Sequence, residues 1–270
     1  MQSKKKLNKI NIYFFLILYS SLIVGFTLDE NLNLGSKLDW YGANLKVIKD
    51  FSENFYKTFL NYEIYNHRHS PVYLIFLSFF TRIGIDFDII RFLHLNISLI
   101  LIFLFFKCLK KKFKNVDKNI LFLLSISIFL SPTFRSLSIW PDSRIIGLIF
   151  FTLSIYEFLK FDYKKSIKCF YKTLIFVILS SYTSPNFSVF IVFYYLYFFK
   201  KINTKHIYLS FLMCLASSLP ALYYLFILDV NFLTAHTPGA NLSEKVSLDF
   251  NISNKILIIS SIILFHLIPF

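Results

Sequence analysis

Apolar runs of helical length recur along the whole chain, near residues 10–28, 89–106, 119–131, 144–161, 170–182, 187–199, 207–228 and 256–270, with short lysine clusters between them. A helix needs about 20 such residues to cross the ~30 Å hydrocarbon core of a bilayer. With 56% hydrophobic residues, 35 Phe and a mean hydropathy of +0.59 over 270 residues, the chain has too little polar surface to cover one water-soluble core. The bilayer is therefore the expected solvent. The expected fold is an all-α polytopic membrane protein with about eight transmembrane helices, residues 1–270 forming a single transmembrane domain. The shorter runs need flanking residues, or a protected place in a bundle, to complete a span.

The net charge of +14 reads as topology. Lysines fall between apolar runs instead of forming a face interleaved with exposed aromatics, so no nucleic-acid partner is expected. The ambiguous run is Pro71 to Gly84, 14 residues that include Arg82, a length more often interfacial or re-entrant than spanning. With a cytoplasmic N-terminus and this run kept on the outer surface, the inner segments are 1–9, 107–118, 160–172 and 200–206. These 41 residues carry 18 of the 29 Lys and Arg. Were the run to cross, the Lys107 to Lys118 cluster and every later one would move outside, against the positive-inside bias. Twelve of the 15 Asp and Glu fall on the outer side of this arrangement, a weaker sign of the same orientation. Lys4 to Lys6 and Lys9 precede the first run as in a signal peptide, but no A-x-A-like site follows Gly25, so that helix is read as retained.

Two larger outer loops result, residues 29–87 and 229–255. The first holds its own amphipathic helix: Ile48, Phe51, Phe55 and Phe59 recur at helical spacing while Lys46, Lys49, Asp50, Glu53 and Lys57 take other faces. This juxtamembrane helix is expected along the membrane surface. Asp39, in Leu38-Asp39-Trp40-Tyr41-Gly42, stands at its start. A carboxylate there suits a general base that takes a proton from an acceptor hydroxyl, and it equally suits an N-cap. Asp29 and Glu30 are further candidate acids, or simply solvated residues where the first helix leaves the bilayer.

His67-Arg68-His69-Ser70-Pro71 opens the surface run, with Tyr73 one turn inside it. Two imidazoles and a guanidinium at a helix start can grip a phosphate, or contact lipid headgroups. A divalent metal on His67 and His69 is the weaker reading, because a His-x-His pair with no third ligand is unspecific. No metal or cofactor is expected. Arg135, Asp142 and Arg144 flank Trp140-Pro141 at the outer ends of two runs, where they can face a polar cavity and bind phosphate or sugar hydroxyls, or act as snorkelling end-caps. Arg91 and His94 are similar candidates on the second span. His236 lies in the second loop, and Glu157, near an inner helix end, is expected to pair with a nearby Lys. Cys108, Cys169 and Cys214 lack the spacing of zinc sites or disulfide frameworks. The chain contains no Walker A loop, G-x-G-x-x-G after a strand, G-x-S-x-G elbow or H-E-x-x-H helix, which removes support for nucleotide hydrolysis, sugar-nucleotide use and several hydrolase classes.

An N-terminal span, acids and an amphipathic helix in a long outer loop, then His69-Ser70-Pro71-Val72-Tyr73 followed by Gly84 and Arg91, resembles the type C glycosyltransferases. Within them it looks most like the protein-mannosyltransferase and aminoarabinose-transferase group. Trp140-Pro141-Asp142 is similar to that group's acid at the equivalent place. Ser70 stands where the group has the first Pro of a His-Pro-Pro segment, and the group's acid usually follows the first span closely, as Asp29 and Glu30 do. The resemblance covers most of residues 10–200. It implies inverting transfer from a polyprenyl-phosphate-linked sugar to a lipid, glycan or protein acceptor, with a first-loop carboxylate as base and cationic groups holding the departing phosphate. Heavy use of Phe, Ile, Lys and Asn reads as AT-rich bacterial coding, hence an inner-membrane location among membrane lipids. The chain ends at Phe270 inside an apolar run, which reads as a C-terminally truncated or minimal core. Rival readings are a lipid-linked-sugar flippase or transporter, an O-antigen polymerase or ligase-like protein, and a non-catalytic assembly factor. The topology predicts that, of cysteines introduced by Asn61→Cys and Lys111→Cys, only the first reacts with a membrane-impermeant thiol reagent in intact cells.

Overall fold

Short polar residues at the margins of the apolar runs set where the helices begin. The side chains of Ser70, Asp86, Asp117, Ser131 and Asp142 each accept a hydrogen bond from a backbone N–H two or three residues on, satisfying donors that the first turn leaves open. Pro71 and Pro132 follow two of these caps, where a missing N–H costs nothing. The computed structural model of the chain describes residues 9–32, 35–65 and 70–226, all within one unit, and every regular element among them is helical. His67, Arg68, His69, His236, the second outer loop and the 256–270 run lie outside the described residues.

The helices are α1 (Lys9–Thr27), α2 (Gly35–Asp39), α3 (Leu45–Glu53), α4 (Phe55–Leu60), α5 (Pro71–Arg82), α6 (Phe87–Lys112), α7 (Lys118–Ile126), α8 (Pro132–Ile139), α9 (Ser143–Lys164), α10 (Ile167–Thr183), α11 (Phe190–Phe198) and α12 (Thr204–Phe226). Short 3₁₀ turns cover Tyr62–Tyr65, Ser127–Leu130 and Pro185–Val189. Each apolar run within the described residues is helical. Among those residues three helices are long and apolar enough to cross a membrane: α1, α6 and the Thr204–Tyr224 stretch of α12. The α7 stretch through Leu130 and the helix α8 pass that test together, but are bent by 69° at Ser131, as in a broken span or a re-entrant loop. The 12 residues of α5 span about 18 Å at 1.5 Å each, short of the hydrocarbon thickness.

The long helices run alternately up and down. Near one end Asn11 Nδ2 donates to Asn119 O (3.1 Å), Tyr163 OH to Lys111 O (3.0 Å) and Tyr197 OH to Asp162, which brings together the starts of α1 and α7 and the ends of α6, α9 and α11. At the other end Phe26 packs on Phe92, and Arg135 reaches back to Ser21, joining the end of α1 to the starts of α6 and α8. The first end therefore gathers the lysines of 107–118, 160–172 and 200–206, fourteen in all against Asp117 and Asp162. The second carries Asp29, Glu30, Asp39, Asp86, Asp88 and Asp142. The main core, centred on Leu22, Ile48, Leu95, Ile102, Phe129 and Trp140, lies among α1, α3 and α5 to α9, and Phe161, Phe170, Leu174, Val177 and Phe198 form a second cluster.

Two local expectations change. Asp39 does not start the amphipathic helix: α2 passes through a π-turn at Trp40–Asn44 into α3, and both Asp39 (φ −59°, ψ −39°) and Asn44 have helical backbone. The N-cap role is thereby excluded, since a capping residue has left the helical region. The Ile48 to Phe59 stripe is also divided. Asn54 leaves the helix (φ −143°) and its side chain accepts from Lys57 N (3.1 Å), so α4 begins anew; Ile48 and Phe51 are buried while Phe55 is exposed.

Gly147 permits the closest contact between α9 and α10. Its carbonyl accepts from Ser180 Oγ (2.7 Å), and a Cβ there would stand 2.8 Å from Ser184 Cβ and 3.0 Å from the Phe187 ring. Gly147→Ala is expected to lower stability by about 1–3 kcal/mol. Gly42, also helical, has open space where a Cβ would go, so Gly42→Ala is expected to be neutral or to stabilise by up to ~1 kcal/mol. Thermal unfolding of the purified protein in detergent compares the two.

Candidate functional site

The polar site grows from the way α1 ends. Leu28 N donates to Val24 O, Asp29 N to Phe26 O and Glu30 N to Gly25 O (2.8 Å), with Asp29 at φ 52°, the left-handed cap that closes many helices. Asp tolerates that region better than most residues, at a cost on the order of 1 kcal/mol. The reversal sends the two neighbouring carboxylates to different helices.

Glu30 turns toward α8. Arg135 grips it with both ends of its fork, Nε to Oε1 at 2.6 Å and Nη2 to Oε2 at 2.5 Å, and also donates to Ser21 O (3.1 Å). Gly25, the one glycine of α1, makes room: a Cβ there would lie 2.5 Å from Glu30 Oε2 and 3.0 Å from Arg135 Nη2. The Glu30 carbonyl accepts from Trp140 Nε1 (2.9 Å).

Asp29 turns toward α6. Its Oδ1 accepts from Arg91 Nη2 (2.8 Å) and its Oδ2 pairs with Lys37 Nζ (3.1 Å). Arg91, only 5% exposed, also donates through Nη1 to Asp88 (2.9 Å), and its guanidinium lies 3.8 Å from the centre of the Trp140 ring and 5.0 Å from that of Phe26. Its Nε is buried without a partner among the described residues. Lys37 Nζ approaches the same indole at 5.2 Å. Burial acts to raise the Asp29 carboxyl, but hydrogen bonds and charge from Arg91 and Lys37 outweigh it and hold the group below its ordinary value.

Asp142 caps α9 and binds Arg144 twice, Oδ1 accepting from Nε (2.9 Å) and Oδ2 from Nη2 (2.6 Å). Asp39 is half-buried and close enough to Arg144 for their charges to interact. Tyr73 and His94 lie beneath. His94 Nε2 is 2.8 Å from the Leu137 carbonyl, which can only accept, so Nε2 carries the proton and Nδ1 accepts from Tyr73 OH at 2.5 Å. Burial first, then the charge of Asp142, pushes the Tyr73 hydroxyl well above its usual value. This phenol is a neutral clamp joining α5, α6 and α8.

The structure thus brings Asp29, Glu30, Asp39, Arg91, Arg135, Asp142 and Arg144 to one end of the bundle, and turns the buried Tyr73 hydroxyl inward to His94. Glu157 lies outside this group and pairs with Lys160 (2.7 Å). Among the described residues no three His, Cys, Asp or Glu side chains are grouped to hold a metal ion. Sequence reasoning missed Lys37, Gly25 and the central place of Trp140. The lone glycine of α1, five residues before an acid, was the available signal for the second; nothing local marks the others. A small polar nook lined by Asn44, Ser70, Tyr73 and Asp142 adjoins the cluster, and Ser70 also lines a mostly apolar cavity of about 390 Å³ among α5, α10 and α12, walled by Val72, Ile75, Ile178, Tyr182, Pro220 and Tyr224. No family model matches the chain, and neither a curated protein nor a solved structure does.

A carboxylate whose folded-state value is depressed adds stability above its unfolded value and loses that contribution as pH falls through the folded one. Asp29→Asn should therefore lower the melting temperature at neutral pH, and the gap from the parent should close as pH is taken below the ordinary carboxylate range.

Proposed function

We propose that the chain is a membrane glycosyltransferase of the type C class, most similar to the protein-mannosyltransferase and aminoarabinose-transferase group, which moves a sugar from a polyprenyl-phosphate carrier to a lipid, glycan or protein acceptor. The observation that carries this reading is the meeting of four carboxylates with Arg91, Arg135, Arg144 and Lys37 beside an apolar cavity of about 390 Å³. A lipid-borne phosphate needs both halves: cations for the headgroup and apolar walls for the chain. In this reading the chain has eight spans in a bacterial inner membrane; alternating helix directions, with lysines at one end and carboxylates at the other, support a cytoplasmic N-terminus and a site on the outer face.

In the proposed reaction the acceptor hydroxyl attacks the anomeric carbon and gives its proton to a carboxylate, while the bond from that carbon to the phosphate oxygen breaks and the phosphate keeps the electron pair. The configuration inverts. Asp29, Glu30 and Asp142 each have both oxygens engaged by cations, so they serve as counter-ions that hold Arg91, Lys37, Arg135 and Arg144 in place. We assign the base to Asp39, half-buried near Arg144, and the stabilisation of the departing phosphate to the cations Arg91, Arg135, Arg144 and Lys37.

Purified protein incubated with radiolabelled polyprenyl-phosphate sugars and candidate acceptors tests this. Asp39→Asn is expected to lower turnover on the order of 10²–10⁴-fold. The double variant Asp29→Asn, Glu30→Gln is expected to raise the donor KM and lower the melting temperature. Unchanged transfer in Asp39→Asn removes the base assignment. No transfer from any lipid-phosphate sugar by the parent protein, while it moves such lipids between leaflets of proteoliposomes, replaces the enzyme with the flippase reading.

A further inference from the structure

The lysine-rich end of the bundle holds a second candidate binding surface, far along α6 and α9 from the carboxylates. Tyr163, 43% exposed at the end of α9, donates its hydroxyl to Lys111 O (3.0 Å) and carries two ammonium groups on its ring, Lys114 Nζ at 3.7 Å and Lys111 Nζ at 4.6 Å from the centre. Lys164 follows it in the chain and is exposed. The carboxylates at this end are engaged elsewhere: Asp162 faces Lys165, Lys201 and the Tyr197 hydroxyl, Glu157 pairs with Lys160, and Asp117 caps α7 by accepting from Asn119 N (2.6 Å). Among the described residues no carboxylate pairs with Lys111, Lys114 or Lys164. Two of these ammonium groups, those of Lys111 and Lys114, are held over one aromatic ring.

Two exposed apolar side chains complete the surface. Phe113 (46% exposed) and Val116 (40%) flank Lys114 in the turn that joins α6 to α7. Ammonium groups beside an exposed Tyr, Phe and Val suit a ligand with a phosphodiester and hydrocarbon on the same molecule. A soluble polyanion would leave the apolar half unused, whereas an anionic phospholipid at the headgroup level of the bilayer uses both.

We propose that Lys111, Lys114, Lys164 and Tyr163 form a headgroup site for an anionic phospholipid of the leaflet at this end of the bundle. The site is independent of the reaction at the opposite end. Native mass spectrometry of the purified full chain in detergent, titrated with phosphatidylglycerol, phosphatidylcholine or inorganic phosphate, reads it. Phosphatidylglycerol is expected to bind more tightly than phosphatidylcholine, and inorganic phosphate is not expected to compete at millimolar concentration. Each lysine near the surface contributes about fivefold in affinity, so the triple variant Lys111→Gln, Lys114→Gln, Lys164→Gln should lose phosphatidylglycerol on the order of 100-fold. A charge-matched control, Lys168→Gln, Lys172→Gln, Lys205→Gln, at the same end should lose less than tenfold. Equal losses in the two triple variants, equal binding of phosphatidylcholine, or full competition by inorganic phosphate would each overturn the proposal.

Discussion

A guanidinium at the margin of an apolar bundle must be paired or it does not stay, and Arg91 is the instance on which the polar end of this protein rests. At 5% exposure it has given up most of its water. Asp29 and Asp88 replace that water on one edge, and the indole of Trp140 replaces it on the face, 3.8 Å from ring centre to guanidinium carbon. An unpaired charge moved to such a place costs several kcal/mol, while a desolvated cation over an aromatic face recovers about 2. Trp140 can serve only because it is itself immobile, with no exposed surface and its N–H bound to the Glu30 carbonyl. Removing the indole therefore exposes two cations to a void at once, because Lys37 leans on the same ring.

The connection between helices follows from a single left-handed residue. Had α1 ended in an extended residue, Asp29 and Glu30 would project from one strand of loop at spacing fixed by the chain. With φ 52° at Asp29, one acid goes to Arg91 on α6 and its neighbour to Arg135 on α8, partners 62 and 105 residues away. Two ion pairs that share a backbone turn are coupled: loss of either changes the geometry available to the other. Gly25 belongs to the same device, since any side chain there would occupy the space of the Glu30–Arg135 fork.

Helices were legible in the sequence where the information is local. Apolar runs, Ser and Asp caps, and proline at first helical positions depend on residues within a turn or two, and each described run is helical within a few residues of its expected bounds. The division of the juxtamembrane helix was not legible, because Phe55 and Phe59 continue the stripe of Ile48 and Phe51 while Asn54 acts through its own backbone and side chain. Asp39 was misplaced for a related reason. The amphipathic stripe starts at Ile48 and carries no sign of the helical residues before it, yet the chain is helical from Gly35 through Glu53. Most candidate charges of the site were legible by type and by their position at helix ends. Their partners were not, since no periodicity relates Asp29 to Arg91 or Glu30 to Arg135, and Tyr73 shows the consequence: a residue chosen for a phosphate turns inward to His94.

Carboxylates at this end differ in what surrounds them, and that difference constrains any chemistry there. Asp29 is held below its ordinary value by Arg91 and Lys37, which makes it a poor proton acceptor at neutral pH, while Glu30 and Asp142 each give both oxygens to one guanidinium. They are well suited to another task. Each fixes a cation whose donors point from a rigid helix end, and fixed donors stabilise a developing negative charge without the reorganisation that water would need. The Nε of Arg91 is buried and has no acceptor among the described residues. Paired acids and fixed cations together make this end of the bundle an ordered array of charge.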